Sequence, residues 1–215
     1  MMWNNGSKDS SVYNSGKTVP NTTYRDSNTI NTNPENIVFN GDSVSENTNY
    51  TANRSIEIKN GIQNKGDYPT VSVFDVAKYI LEKLNKPCST MKLQKLVYYC
   101  QAWFLVWEDR PLFDEKIEAW SNGPVIRRLF NFHRGLYSIN KYRLTLGSSS
   151  KLSELQKEDI NSVLNFYGGK SSQWLIDQTH SEQPWIQARV GLAPFEKGDR
   201  EISRESMVDY YSSLS

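Results

Sequence analysis

The stretch that decides the fold is Ser89–Arg134, STMKLQKLVYYCQAWFLVWEDRPLFDEKIEAWSNGPVIRRLFNFHR. Ser89 and Thr90 are good N-cap residues, and they stand directly before an apolar run with helical spacing. At 100° per residue the run is apolar on two opposite faces, formed by Leu93, Leu96, Val97, Cys100, Phe104 and Trp107 and by Tyr98, Ala102, Leu105 and Val106. A helix that is apolar on two faces must be covered by other helices, so we predict a buried central helix.

The few polar residues of this predicted helix fall into two groups. Gln94 and Gln101 are seven residues apart and share one flank. Amide side chains in such a position satisfy backbone groups, so we predict that both hydrogen-bond a neighbouring loop. Lys92 and Lys95 lie near the first turn, which we expect to be exposed, and they are candidate partner-binding residues.

The second half of the stretch predicts a short strand and then a turn. Asp109–Pro111 ends the helix, because a proline disfavours α geometry in the residue before it. The alternation of polar and apolar residues over Lys116–Trp120 is typical of a strand. Trp120–Val125 predicts a turn into a new helix with Pro124 at its first position, and Gly123 would permit a close or left-handed backbone approach. The alternative is a turn that offers free N–H groups to an anion.

Basic residues recur along the helix predicted for Val125–Arg134. Arg127, Arg128 and Arg134, together with His133, make it locally basic. A solvated face is the commoner reason for such a run, and a patch for an acidic partner is the alternative. The three arginines are therefore candidate partner-binding residues.

Helices are also predicted on both sides of this stretch, so the predicted fold class is mainly α, a compact helical domain with one minor short β element. Ser72 with Asp75, and Ser153 with Gln156, have the spacing of capping boxes that open helices. Residues 136–150 are expected to form a loop. Further helix starts are predicted at Ser171 or Ser172, at Pro184 and at Ser203.

Two blocks of the stretch resemble a known family. KLQKLVYYCQAW, residues 92–103, followed by RPLFDEKIEAWSNGPV, residues 110–125, closely resembles the Panacea domain, also called the SocA-like or phage-associated GepA-type domain. The resemblance continues through Thr179–Trp185 and covers roughly residues 70–213. The motif positions in this sequence are Gln94, Gln101, Trp120, Gly123, Pro124, His180, Pro184 and Trp185. For His180 we expect a hydrogen-bonded core histidine that holds two short helices together.

The resemblance implies a function in protein binding. Members of the family are similar in fold and are implicated as antitoxins, which neutralise a toxin encoded by the adjacent gene. The implied partner is therefore a cognate toxin, bound by direct protein–protein contact. One branch of the family resembles a proteolytic adaptor that delivers its toxin to a AAA+ protease. An antitoxin that autoregulates its gene is a further alternative, but the formal charge of +1 and the lack of a recognisable helix-turn-helix disfavour nucleic acid.

Composition divides the chain into two parts. Residues 1–67 are dominated by Asn, Ser and Thr and have no sustained helical or strand period, so we expect a largely disordered segment or one that becomes ordered on a partner. Isolated aromatic residues in it are candidate anchors for such a partner: Trp3, Tyr13, Tyr24, Phe39 and Tyr50. Residues 68–215 carry the sustained periodicity and are long enough to fold alone.

The residue types that support catalysis are sparse. The chain has two histidines, His133 and His180, and neither stands at metal-ligand spacing from a cysteine or carboxylate. There is no CxxC, no HExxH and no glycine-rich loop that opens a helix after a strand. We therefore expect no enzyme, no cofactor and no metal site.

The cysteines and the hydropathy bear on location. Cys88 and Cys100 are the two cysteines, and Cys100 lies on a predicted buried face, which argues against a disulfide framework. No run approaches the length of a membrane span and the N-terminus lacks the apolar region of a signal peptide. We expect a soluble, cytoplasmic protein.

Overall fold

The computed structural model describes residues 16–20 and 69–214, and the N-terminal aromatic anchors predicted from the sequence lie outside these residues. In the described part the chain forms seven helices, which are α1 (Val73–Leu84), α2 (Thr90–Glu108), α3 (Arg127–His133), α4 (Glu154–Tyr167), α5 (Ser172–Ser181), α6 (Gln183–Ala188) and α7 (Arg204–Ser212). Four short strands form two antiparallel pairs, β1 (Cys88–Ser89) with β4 (Ser138–Ile139) and β2 (Glu118–Trp120) with β3 (Gly123–Val125). The predicted fold class is confirmed.

Helix α2 is the centre of the domain, as its two apolar faces predict. It contacts α1, α4, α5 and α7. Residues of both faces are buried, among them Val97 and Phe104 on one side and Tyr98 and Leu105 on the other. Burial of apolar side chains all around one helix lets the surrounding helices share a single core, which removes most of their apolar surface from water.

The helix starts follow the capping signals in the sequence. The Ser89 hydroxyl accepts from the backbone N–H of Lys92 at the start of α2. Ser72 with Asp75 forms a reciprocal capping box at α1, and Ser153 with Gln156 forms another at α4. Each box satisfies backbone donors that the first turn of a helix leaves unpaired.

The predicted turn from Trp120 into a helix is wrong in its details. Gly123 and Pro124 belong to β3, which pairs with β2 in a hairpin, and α3 begins three residues later at Arg127. The register pairs Ala119 with Pro124. A proline is tolerated there because the sheet has two strands, so both are edges on which a missing N–H costs little.

Residues 136–150 were expected to form a loop, but they contain one further strand. Strand β4 pairs with β1, and the backbone N–H of Thr90 donates to the carbonyl of Tyr137. The segment is thereby attached to the start of α2. A strand of two residues carries too little periodicity to be recognised in a sequence.

Residues 16–20 pack against the same core. Val19 is buried, and the Lys17 ammonium is within hydrogen-bond distance of Glu108 on α2 and Asp159 on α4. None of the helices in the described residues is long and apolar enough to cross a membrane. The division of the chain at residue 68 stays a prediction.

Candidate functional site

Gln94 fixes the end of the β2–β3 hairpin and the start of α3. Its Oε1 accepts from the N–H of Ile126 at 2.8 Å, and its Nε2 lies 2.9 Å from Nε2 of His133. The prediction that Gln94 satisfies a neighbouring loop is confirmed. His133 is buried, and burial lowers its pKa, so it is neutral and does not add to a basic face as the sequence suggested.

Gln101 fixes the segment that leads to the hairpin, through hydrogen bonds to its backbone. Its Oε1 accepts from the N–H groups of Leu112 and Phe113 at 3.0 and 3.1 Å, and its Nε2 donates to the Phe113 carbonyl at 3.1 Å. This prediction is also confirmed. The two glutamines hold the chain on both sides of residues 114–125, which positions the hairpin against α2.

Lys95 is not exposed, and the expectation that it lies on an accessible first turn is wrong. Its side chain is 0% exposed, and its ammonium donates to the Pro124 carbonyl at 3.0 Å. Burial lowers its pKa to about 7, because the charged form loses its hydration. An amine in this position stabilises the hairpin through its hydrogen bond to Pro124 and is not accessible to a partner.

Gly123 lies directly above this amine. Its φ is +93°, and a Cβ atom there would be 2.7 Å from both Cε and Nζ of Lys95 and 3.0 Å from Oγ1 of Thr179. The left-handed backbone and the close approach proposed from the sequence are both present. Gly123 therefore allows the hairpin to pack onto α2 and α5.

Glu182, directly after α5, has a buried carboxylate that the sequence did not predict. It accepts from the Tyr211 hydroxyl at 2.6 Å, the Tyr99 hydroxyl at 3.2 Å and Gln178 Nε2 at 3.2 Å. None of the described residues forms an ion pair with it, and burial raises its pKa to about 7. It lies within the Thr179–Trp185 block at the N-cap of α6. Glutamates are mostly exposed, so nothing in the sequence indicates that this one is buried.

His180 holds two short helices together as expected, but it does so without the expected hydrogen bond from Nε2. It is half-buried, its Nε2 has no hydrogen-bond partner among the described residues, and its ring stacks on Trp185 with centroids 4.1 Å apart. Stacking therefore joins α5 to α6, where a hydrogen bond was expected. The Trp185 indole donates to the Trp120 carbonyl at 2.9 Å, and Pro184 is buried in the first turn of α6.

The outer face of α3 and the hairpin forms a cleft of about 580 Å³. Arg127 and Phe130 line it from α3 and Arg134 from the C-cap of that helix, and Trp120 and Lys197 line it from the neighbouring segments. The spacing of three residues places Arg127 and Phe130 on one side of the helix. The cleft thus combines aromatic walls with three cations and one carboxylate, that of Asp199.

The cations of the cleft differ in how far they are neutralised. Arg127 donates to both carboxylate oxygens of Glu118, at 2.8 and 2.6 Å, and its guanidinium lies 5.3 Å from the Trp120 ring centroid. Arg134 and Lys197 are exposed and have no ion pair with a described residue. These two cations are available to an incoming acidic group.

The loop beside Lys197 presents apolar side chains to solvent. Phe195 is 91% exposed and Val190 is 67% exposed. Arg189 holds the loop from within, donating to the carbonyls of Ala119, Ala193 and Glu196 at 2.9, 3.0 and 2.8 Å. A loop fixed in this way loses little entropy on binding, and its exposed apolar groups suit a partner surface.

Two further candidate residues lie away from the cleft. Arg128 donates to Glu115 at 2.8 Å and lies 5.2 Å from the Phe74 ring centroid. Lys92 donates to the carbonyls of Gly168 and Lys170, which caps the C-terminal end of α4. Of the five basic residues named from the sequence, the structure therefore brings together Arg127 and Arg134.

Residues that could hold a metal do not converge in the described part of the chain. No group of three His, Cys, Asp or Glu side chains there has the geometry for an ion. Cys88 and Cys100 are both buried free thiols.

Comparison with known proteins gives one family. Residues 93–186 match the sequence model of the family described as "Antitoxin SocA-like, Panacea domain". Antitoxin SocA of Caulobacter vibrioides (strain NA1000 / CB15N) is 34% identical over 133 residues, which cover 55% of this chain and 71% of the relative. No solved structure matches significantly. The chain belongs to the antitoxin SocA-like Panacea domain family.

Proposed function

We propose that this protein is the antitoxin of a toxin–antitoxin pair and neutralises a cognate toxin by direct protein–protein binding. The observation that carries the proposal is the 34% identity to antitoxin SocA over 71% of that protein. No group of three His, Cys, Asp or Glu side chains in the described residues could hold a metal ion. The protein acts in the cytoplasm, and its role is binding without catalysis.

The toxin docks on the cleft formed by Trp120, Arg127, Phe130, Arg134 and Lys197. Arg134 and Lys197 supply two cations that have no ion pair with a described residue, and these favour an acidic partner and accelerate its encounter. Their neighbours Phe195 and Val190 supply exposed apolar area on the fixed loop. Aromatic and arginine side chains in one partly enclosed site are the residue types that carry most binding energy at interfaces.

Growth rescue tests this function directly. Each open reading frame that flanks the gene is expressed with and without this protein. We expect one of them to arrest growth alone and to be harmless in its presence. If no flanking product is toxic, or if none that is toxic is neutralised, the antitoxin function is contradicted.

Neutralisation by binding differs from proteolytic delivery in one measurable quantity, the half-life of the toxin. A protein that neutralises by occupying its toxin leaves the toxin level unchanged or higher. An adaptor for a AAA+ protease shortens the half-life of the toxin in cells that contain the protease. Pulse-chase of the tagged toxin, with and without this protein, decides between the two. Our proposal expects no shortening.

Residues 1–67 contribute a second contact in this proposal, through aromatic side chains that lie outside the described residues. A variant that starts at Tyr68 tests the contribution. Loss of rescue by this variant supports it, provided that circular dichroism shows a folded domain. The folding control is essential because Lys17 and Val19, which the variant lacks, pack against α2 and α4.

A further inference from the structure

A slot with two carboxylates lies where the end of α2 meets α4. Glu108 is the last residue of α2, and Asp159 lies in the first half of α4. The Lys17 ammonium enters the slot from a distant part of the chain, 2.5 Å from Glu108 Oε1 and 2.7 Å from Asp159 Oδ1. It also lies 6.0 Å from the ring centroid of Trp107, which forms one wall.

The slot requires a cation because its carboxylates are shielded from water. The Asp159 side chain is 2% exposed and that of Glu108 is 10% exposed. Two like charges so placed repel each other, and each loses hydration. The second oxygen of Asp159, Oδ2, has no hydrogen-bond partner among the described residues, so the slot has no surplus donors of its own. Lys17 supplies the missing charge.

The segment around Lys17 is held by apolar burial as well as by charge. Val19, two residues after the lysine, is buried and belongs to the hydrophobic core, whereas Thr18 between them is exposed. This alternation is that of an extended strand, in which residues i and i+2 point the same way. The domain therefore holds a lysine in the slot and, two residues later, a β-branched apolar residue in its core.

We propose that the Glu108–Asp159 slot is a docking site for the protein's own N-terminal segment, with Lys17 and Val19 as the residues it recognises. Both slot carboxylates lie inside the family match at residues 93–186, whereas Lys17 lies outside it. This inference does not depend on the antitoxin function, since it concerns the free protein.

Chemical modification of lysines in the full-length protein tests the docking. The protein is treated with a limiting amount of an acetylating reagent, and the rate at each lysine is measured by mass spectrometry. Lys197, which is exposed, serves as the internal reference. Lys17 should react about tenfold more slowly than Lys197, because the reagent reaches it only when the segment leaves the slot.

Three variants make the test specific. Glu108→Gln removes one slot charge at constant volume, and Val19→Asp removes the apolar anchor. Each should raise the Lys17 rate about threefold or more, since each weakens docking by about 0.6 kcal/mol or more. Glu154→Gln is the matched control, because it removes a carboxylate from the same helix α4 at a position 84% exposed. It should leave the Lys17 rate unchanged.

Two results would overturn the proposal. The first is a Lys17 rate in the native protein equal to that of Lys197. The second is a slow Lys17 rate that neither Glu108→Gln nor Val19→Asp increases. Dilution by about hundredfold adds a check on the occupant, because protection by a second copy is lost by mass action. Protection that survives dilution supports docking within one chain, and protection that disappears contradicts it.

Discussion

Lys95 and Arg134 are both cations that the sequence marks as candidates for partner binding, and the structure places them in opposite surroundings. Lys95 is fully buried beneath the hairpin with one carbonyl acceptor. Arg134 is exposed at the cleft and has no ion pair with a described residue. A buried cation serves the fold, because removing it from water costs energy that only fixed local partners offset. An exposed cation without an ion pair in the described residues can instead meet an acidic partner, as we propose for the cleft.

The same contrast holds for the whole region. Gln94, Lys95 and Glu182 are polar side chains buried inside the domain, whereas the cleft lies on the outer side of the hairpin. Substitutions of these buried residues should therefore change stability, whereas substitutions in the cleft should change binding and leave stability alone. The following experiments test this separation, from the largest expected change in stability to the smallest.

The largest change is expected for Glu182→Ala. The substitution leaves the hydroxyls of Tyr99 and Tyr211 and the amide of Gln178 without their acceptor in a buried site, and it opens a cavity. We expect a loss of about 3 kcal/mol in the free energy of unfolding, measured by urea denaturation. Glu182→Gln fills the same volume and retains an acceptor, so it should cost less. Equal stability of Glu182→Ala and the wild type would show that water reaches the site of Glu182 and replaces its hydrogen bonds.

Gly123→Ala should cost about 2 kcal/mol, because the new Cβ meets Lys95 and the backbone has φ of +93°. Gly169→Ala is the matched control. A Cβ at Gly169 meets no atom within 4 Å, and its φ lies outside the left-handed region. Thermal unfolding of the two variants measures the difference. A Gly123→Ala protein as stable as Gly169→Ala would show that the close approach of Gly123 to Lys95 does not matter for stability.

Glu182 and Lys95 should change the stability with pH in opposite directions. Glu182 has a pKa raised from 4.5 to about 7, so the folded protein holds a proton there that the unfolded chain has lost. Its contribution to stability is fully present below pH 4.5 and is lost as the pH rises through 7. Lys95 has a pKa lowered from 10.5 to about 7, so stability rises with pH between 7 and 10.5.

Single substitutions should remove these two trends independently. Glu182→Gln should flatten the fall in stability between about pH 6 and 7, above the range in which the pKa of Asp159, raised by burial to about 6, also contributes. Lys95→Met should flatten the rise between about pH 7.5 and 9.5. Each slope is limited to about 1.4 kcal/mol per pH unit for one proton. The measurement is the free energy of unfolding in urea across this range. Slopes that persist in both variants would assign the titration to other groups.

The sequence predicted the parts of the structure that depend on regular periodicity and local capping. The buried helix α2 and the capping boxes at Ser72 and Ser153 follow from spacing over a few residues. Gln94 and Gln101 were predictable because a polar residue on an apolar helix requires a backbone partner.

Contacts between distant parts of the chain were not predictable in this way. The burial of Lys95 depends on a hairpin whose strands have three residues each, and the cleft depends on Lys197 lying beside α3. The pairing of Lys17 with Asp159 joins residues 142 positions apart. The pattern of residues in one segment does not indicate which distant segment will pack on it, so these contacts could not be predicted from the sequence.

The smallest change in stability is expected in the cleft. Arg134→Ala with Lys197→Ala removes two exposed cations and should change the free energy of unfolding by less than about 0.5 kcal/mol. Arg128→Ala with Arg143→Ala removes two exposed cations elsewhere and is the matched control. A large loss of stability in the cleft variant alone would mean that the cleft is part of the folded core.

The most direct test of the central claim is the Kd of these two variants for the neutralised toxin, measured by calorimetry. We expect Arg134→Ala with Lys197→Ala to raise the Kd by about tenfold or more, because charge-assisted contacts to an acidic partner are lost. We expect Arg128→Ala with Arg143→Ala to leave the Kd within about twofold of the wild-type value. Equal Kd values for wild type and both variants, or equal weakening by both pairs of substitutions, would contradict the claim that the cleft binds the toxin.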